Sequence, residues 1–132
     1  MLSFSSFLRN PGQLWFNTLT TRYIAQHSET AFKIELFLLS EDQHDQIRFK
    51  RRVNIGFLGT TAWLPRAEDV IIWKLRWAVR ANRQKDREDA FMVLATQYGH
   101  LDLDHVRYWC AQHGTLPLLE QMLRTIAESE QE

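Results

Sequence analysis

The apolar pattern of this chain changes period once, near residue 65, and that change limits what it can fold into. Upstream, apolar residues alternate. In Ala31-Phe-Lys-Ile-Glu-Leu-Phe-Leu-Leu39, Phe32, Ile34, Leu36 and Leu38 fall on one face of an extended segment. Lys33, Glu35, Phe37 and Leu39 fall on the other. The spacing predicts strands near 22–27, 31–39, 52–58 and 60–64, with turns at Ser28-Glu29-Thr30 and near Gly59. A short polar helix from Ser40-Glu41-Asp42 to about Lys50 separates the two hairpins. Residues 13–20 read as a short helix, weakened by the β-branched Thr18 and Thr20. Asn10-Pro11-Gly12 is a turn signal, and residues 1–20 as a whole read as irregular.

Downstream of Pro65 the pattern is helical. Val70, Ile71, Ile72, Trp73, Leu75, Trp77, Ala78 and Val79 leave little polar face, which predicts a helix central to the core. A break near Asn82 leads to a helix over about 84–98, with Phe91, Leu94, Ala95 and Tyr98 inward and Gly99 as its stop. Asp102 caps a third helix bearing Val106, Trp109, Cys110 and His113 on one face. Thr115 caps the last, with Pro117 in its first turn and Leu119, Met122, Leu123 and Ile126 inward. Strands first and helices afterwards make an α+β fold. The expectation is a small antiparallel sheet of about four strands over 22–64, followed by about four helices over 66–128. A length of 132 residues fits one domain spanning 1–132, with 21–128 as its folded part.

Charge is unevenly distributed. The formal net charge is zero. Residues 1–47 hold three bases and five acids, 48–87 hold eleven bases and three acids, and 88–132 hold two bases and eight acids. A basic middle third can attract phosphate, or it can simply face its acidic flanks and solvent. No run of about 18 apolar residues predicts a membrane span, and the first eight residues do not read as a signal peptide. A cytoplasmic protein is the expectation. The lone Cys110 excludes an internal disulfide.

A search for chemistry along the sequence is mostly negative. His100 and His105, five apart, do not share a helix face. Cys110 and His113 do, but zinc needs three or four ligands. There is no Gly-rich phosphate loop and no nucleophile elbow. Three features stand out. Glu35 lies inside an apolar strand, where a carboxylate must be wet, paired or metal-bound; its plain reading is pairing with Lys33. Lys74 lies in the most apolar helix, where snorkelling of the ammonium is the plain reading. Asp86 and Asp89 share a face at a helix start, where the helix dipole and pairing with Lys85 and Arg87 account for them.

Four spaced segments together carry a resemblance. They are Ala31-Phe-Lys-Ile-Glu-Leu-Phe-Leu-Leu39, Phe49-Lys-Arg-Arg52, Arg66-Ala-Glu-Asp-Val-Ile-Ile-Trp-Lys-Leu-Arg76 and Lys85-Asp-Arg-Glu-Asp89. Leu101-Asp-Leu-Asp104 and Trp109-Cys-Ala-Gln-His-Gly114 add to it. Over about residues 21–126 the chain resembles the later part of bacterial nucleotidyltransferase-like proteins of the abortive-infection, toxin–antitoxin type. The resemblance implies that Glu35 stands at the third acidic position of the family, where Asp is usual. It also implies that Lys74 and Lys85 belong to a nucleotide site and that Asp86 is the aspartate of the later motif, with Glu35 and Asp86 as vestigial catalytic candidates. The family's Gly-Ser helix start and its following Asp-x-Asp strand, which grip phosphate and divalent metal, have no counterpart here.

Two-metal nucleotidyl transfer needs several carboxylates around the ions, and a single strand glutamate cannot hold such a pair. The resemblance therefore implies a truncated or degenerate domain without transferase activity alone. No cofactor is expected on its own; magnesium and a nucleoside triphosphate are expected, with Glu35 as a metal ligand, only if a missing half is supplied from upstream or by a partner polypeptide. A second expectation is a phosphate- or nucleic-acid-binding module using Arg48, Lys50, Arg51 and Arg52, helped by Arg80, Arg83 and Arg87 beside Trp63 or Trp77. A third is a protein-interaction subunit, closed as a homodimer.

Overall fold

The computed structural model describes residues 8–9, 14–19 and 22–131. Among the described residues it is an α+β structure of six strands and five helices, divided into two compact units, 1–41 and 42–132.

The first unit is an antiparallel sheet of four strands in sequential order: β1 (Leu8–Arg9), β2 (Leu14–Leu19), β3 (Arg22–His27) and β4 (Lys33–Phe37). Two of these strands differ from the sequence expectation, because 14–19 is extended, not helical, and the N-terminal segment is not wholly irregular. Trp15, Phe16 and Thr18 are aromatic or β-branched residues suited to a pleated surface. Pairing in register with β3, from Leu14 opposite His27 to Leu19 opposite Arg22, satisfies a backbone that a two-turn helix would leave half unpaired. The expected turn at Asn10-Pro11-Gly12 lies outside the described residues. In β4 the alternation does not produce one buried face, since all five residues are exposed, as are Phe32, Leu38 and Leu39.

The second unit opens with α1 (Gln43–Arg51), capped by Asp42, whose carboxylate accepts from the backbone N–H of His44 and Asp45. A separate two-stranded sheet follows, β5 (Val53–Phe57) and β6 (Thr60–Leu64). The expected single sheet over 22–64 is thus two sheets, interrupted by α1. The hairpin turns on Leu58 and Gly59, with φ of 47° and 77°. Two positive values are what a tight two-residue turn needs to match the strand twist, and leucine adopts that conformation at a cost.

Four helices then build the core: α2 (Ala67–Arg80), α3 (Gln84–Gln97), α4 (Leu103–His113) and α5 (Leu116–Ser129). Helix α2 is central, as its composition implies, and buries Ile71, Ile72, Leu75 and Ala78. These pack with Ala90 and Leu94 of α3, Val106, Trp109 and Cys110 of α4, and Leu119, Met122, Leu123 and Ile126 of α5. Ala95, expected inward, is exposed; Ala90, one turn earlier, takes the buried place. Gly114 ends α4 at φ 72°, where its N–H reaches the Cys110 and Ala111 carbonyls. Thr115 holds the N-cap position of α5, as expected, but its side chain makes no capping bond; it is buried, and its hydroxyl donates to the Cys110 carbonyl at 3.4 Å.

Leu75→Ala should cost about 2–5 kcal/mol in urea unfolding, since the residue is fully buried on the central helix. Leu58→Gly should stabilise by about 1 kcal/mol by relieving the left-handed leucine.

Candidate functional site

Helix α2 carries two clusters of charged groups, both in the second unit. The first lies at its start. Asp69 is fully buried, and its Oδ1 accepts from Nε2 of His44 at 3.2 Å and Nε2 of His105 at 2.9 Å. Its Oδ2 accepts from Nε of Arg51 at 3.0 Å. Burial alone would raise the pKa of this carboxyl, but the bonds from His44, His105 and Arg51 outweigh it and hold the pKa well below the usual carboxylate range. His44, Asp69 and His105 each sit in the first turn of a helix (α1, α2 and α4), so the positive ends of three dipoles also favour the anion. The three ligand atoms lie within 4.8 Å of one another.

Sequence reasoning missed this cluster. The helix-face test that set His105 aside compares residues on one helix only. These three residues come from three helices, 25 and 36 positions apart along the chain. Asp69 itself reads as a dipole partner, since an acid in a first turn is ordinary at a helix start. The only local sign was that it stands at the entry to the most apolar helix.

The second cluster lies one turn further on. Nζ of Lys74 is 2.9 Å from Oδ1 of Asp86 and 2.9 Å from Oδ2 of Asp89. Asp86 is 2% exposed, so it is a buried ion-pair member and not the surface group that its position in a polar first turn suggests. Nε of Arg83 lies 3.0 Å from its Oδ2, in ion-pair range but not aligned as a hydrogen bond. Burial alone would depress the Lys74 ammonium, but its bonds to Asp89 and Asp86 prevail and raise its pKa. The Asp89 carboxyl is held low by the same bond from Lys74.

The structure thus brings Lys74 together with Asp86. Lys85 is exposed in the first turn of α3. Glu35 belongs to the other unit, on β4, with Nζ of Lys33 2.6 Å from its Oε1. The basic stretch is divided in its uses. Arg48 pairs with Asp45 at 2.8 Å and lies over Trp73, Arg51 serves Asp69, and Lys50 is exposed. Arg52 sits 3.8 Å from the Phe49 ring centroid and 4.8 Å from that of Trp63. Trp77 is half-buried against Trp73. Cys110 is buried, which pushes its thiol up to about 11, and it is no nucleophile at neutral pH.

Magnesium, implied by the resemblance, does not fit the Lys74 cluster. The ammonium already lies between the two carboxylates, where a divalent ion would meet like charge. Asp102 and Asp104, an Asp-x-Asp pair, start α4 instead of lying on a strand, and the Asp102 carboxylate accepts from the His105 backbone. No protein-family model matches the chain, and no curated protein or solved structure matches it.

Lys74→Met should destabilise the protein by roughly 1–3 kcal/mol at pH 7, because Asp86 loses its hydrogen-bonded cation inside the core. The Lys74 pKa is raised, so its contribution is complete below its unfolded value and fades as pH climbs through the folded one. The Asp89 pKa is lowered, so its share is complete above its unfolded value and fades as pH falls through the folded one. The gap between wild type and Lys74→Met in urea melts should therefore be widest from about pH 5 to 9 and shrink on both sides.

Proposed function

We propose that this chain is a nucleotidyltransferase-like protein that lacks the family's phosphate- and metal-gripping motifs in these 132 residues, has no transferase activity alone and works in the cytoplasm. The observation that supports this reading best is the pairing of Lys74 with Asp86 across α2 and α3. These are the helix lysine and the later-motif aspartate that the resemblance assigns to one nucleotide site. Here they neutralise each other, and Asp89 accepts a second hydrogen bond from the ammonium. A lysine engaged in this way offers a triphosphate little cationic charge. Phosphoryl chemistry requires both cradling and metal, and neither is provided by the Lys74 cluster. On this reading the helical unit is a retained scaffold. A partner polypeptide would supply the phosphate grip and the metal-binding strand.

Purified chain incubated with magnesium and each nucleoside triphosphate should transfer no nucleotide to protein or RNA. Metal-dependent transfer that survives repeated purification and is lost in Lys74→Met would overturn the proposal.

One feature favours a second reading, binding of single-stranded nucleic acid. Arg52 is flanked by Phe49 and Trp63, which are 47% and 59% exposed. A cation framed by exposed rings suits stacking of bases beside a phosphate chain. Fluorescence anisotropy with a labelled single-stranded oligonucleotide should then show affinity that falls steeply with salt and drops at least about tenfold in Trp63→Ala. Affinity indifferent to salt and to that substitution removes this reading.

A further inference from the structure

We infer that Nε2 of His44, Oδ1 of Asp69 and Nε2 of His105 form a site for one divalent transition-metal ion of the zinc class. The inference does not depend on the transferase-like reading, because the Lys74 cluster takes no part in it.

The donor set carries the argument. Two imidazole nitrogens and one carboxylate oxygen suit Zn²⁺, Co²⁺, Ni²⁺ or Fe²⁺, whereas Mg²⁺ and Ca²⁺ prefer oxygen alone. The atoms are aimed at one point. Both Nε2 atoms approach the same carboxylate oxygen, at 3.2 and 2.9 Å, and all three ligand atoms lie within 4.8 Å. Metal–ligand bonds of about 2.0–2.2 Å put neighbouring ligand atoms on the order of 3 Å apart, so an ion needs only small side-chain shifts. The second oxygen of Asp69 is held by Arg51, which orients the carboxylate and leaves Oδ1 to bind through one atom. His105 is 16% exposed on its side chain, which gives an ion a way in.

The buried edge of His44 is the independent sign. When both imidazoles donate Nε2–H to Asp69, Nδ1 of His44 is a fully buried lone pair with no hydrogen-bond partner. That ring packs against Trp109 at 5.2 Å and edge-on against His113 at 5.6 Å. A bare lone pair among ring faces is unfavourable, while an N–H there is weakly favourable. A metal on Nε2 moves the proton to Nδ1 and so relieves the edge. Arg51 and three dipole ends add positive charge nearby, which opposes a cation and limits its affinity, so the three ligand atoms must outweigh it.

The test uses the full chain, stripped with a chelator and titrated with Co²⁺ and Zn²⁺. One equivalent should bind, with visible absorption from cobalt and a rise of several degrees in Tm with zinc. His105→Ala, at a partly exposed position, should weaken binding at least about 100-fold, since even partners behind the ligands cost 10–100-fold. X-ray absorption of the zinc-loaded wild type should show only nitrogen and oxygen neighbours, with two imidazoles. Absence of binding by the wild type, unchanged affinity in folded His105→Ala, or a sulfur neighbour from Cys110 would each overturn the inference.

Discussion

One buried carboxylate organises the second unit. Asp69 has no access to water, so it needs donors from the protein, and it takes them from α1 twice and from α4 once. Removing one partner of a buried ion pair commonly costs about 3–5 kcal/mol, because the remaining charge is stranded. The positions of α1 and α4 relative to α2 are therefore tied to that residue as well as to apolar packing. The same demand draws His44 and His105 to a single point, which is why a metal-like donor set exists where sequence spacing offers none.

Helix α2 is the element through which the other ties run. One face fills the core with Ile71, Ile72, Leu75 and Ala78. Its charged groups reach outward in separate directions. Lys74 holds Asp86 and Asp89 of α3, and Nη2 of Arg76 reaches Asp42 at 2.9 Å. That contact, with the backbone bonds of the cap, lowers the Asp42 pKa to about 2. Glu68 accepts the backbone N–H of Asp102, joining α2 to the start of α4 at 3.0 Å. A helix with so little polar face uses nearly every polar residue it has as a connector. In such a helix a lysine is more valuable as a bridge than as a solvent-facing charge, which is how Lys74 departs from simple snorkelling.

The inward residues of α5 and α4 were legible from spacing alone, since Leu119, Met122, Leu123, Ile126, Val106, Trp109 and Cys110 recur at helical intervals and are all buried. The hairpin at Gly59 was legible because positive φ has a strong residue preference. The strand at 14–19 was not. Its extended state depends on pairing with β3, an interaction between segments that local propensity does not register. The exposure of β4 was equally hidden, because alternation marks two faces but does not say whether a layer covers either of them.

For the candidate sites the division follows the same physics. The sequence by itself determined the elements of the helical unit, the apolar stripe of α2 and the chemical types available to it, because these depend on spacing within about four residues along one helix. It also marked Lys74 and Asp86 as charges in unusual company. Only the tertiary structure decided that those two neutralise each other and that His44, Asp69 and His105 share one point. Both outcomes depend on how separate helices are set against one another, and that arrangement is chosen by packing and by the cost of leaving a buried charge without a partner.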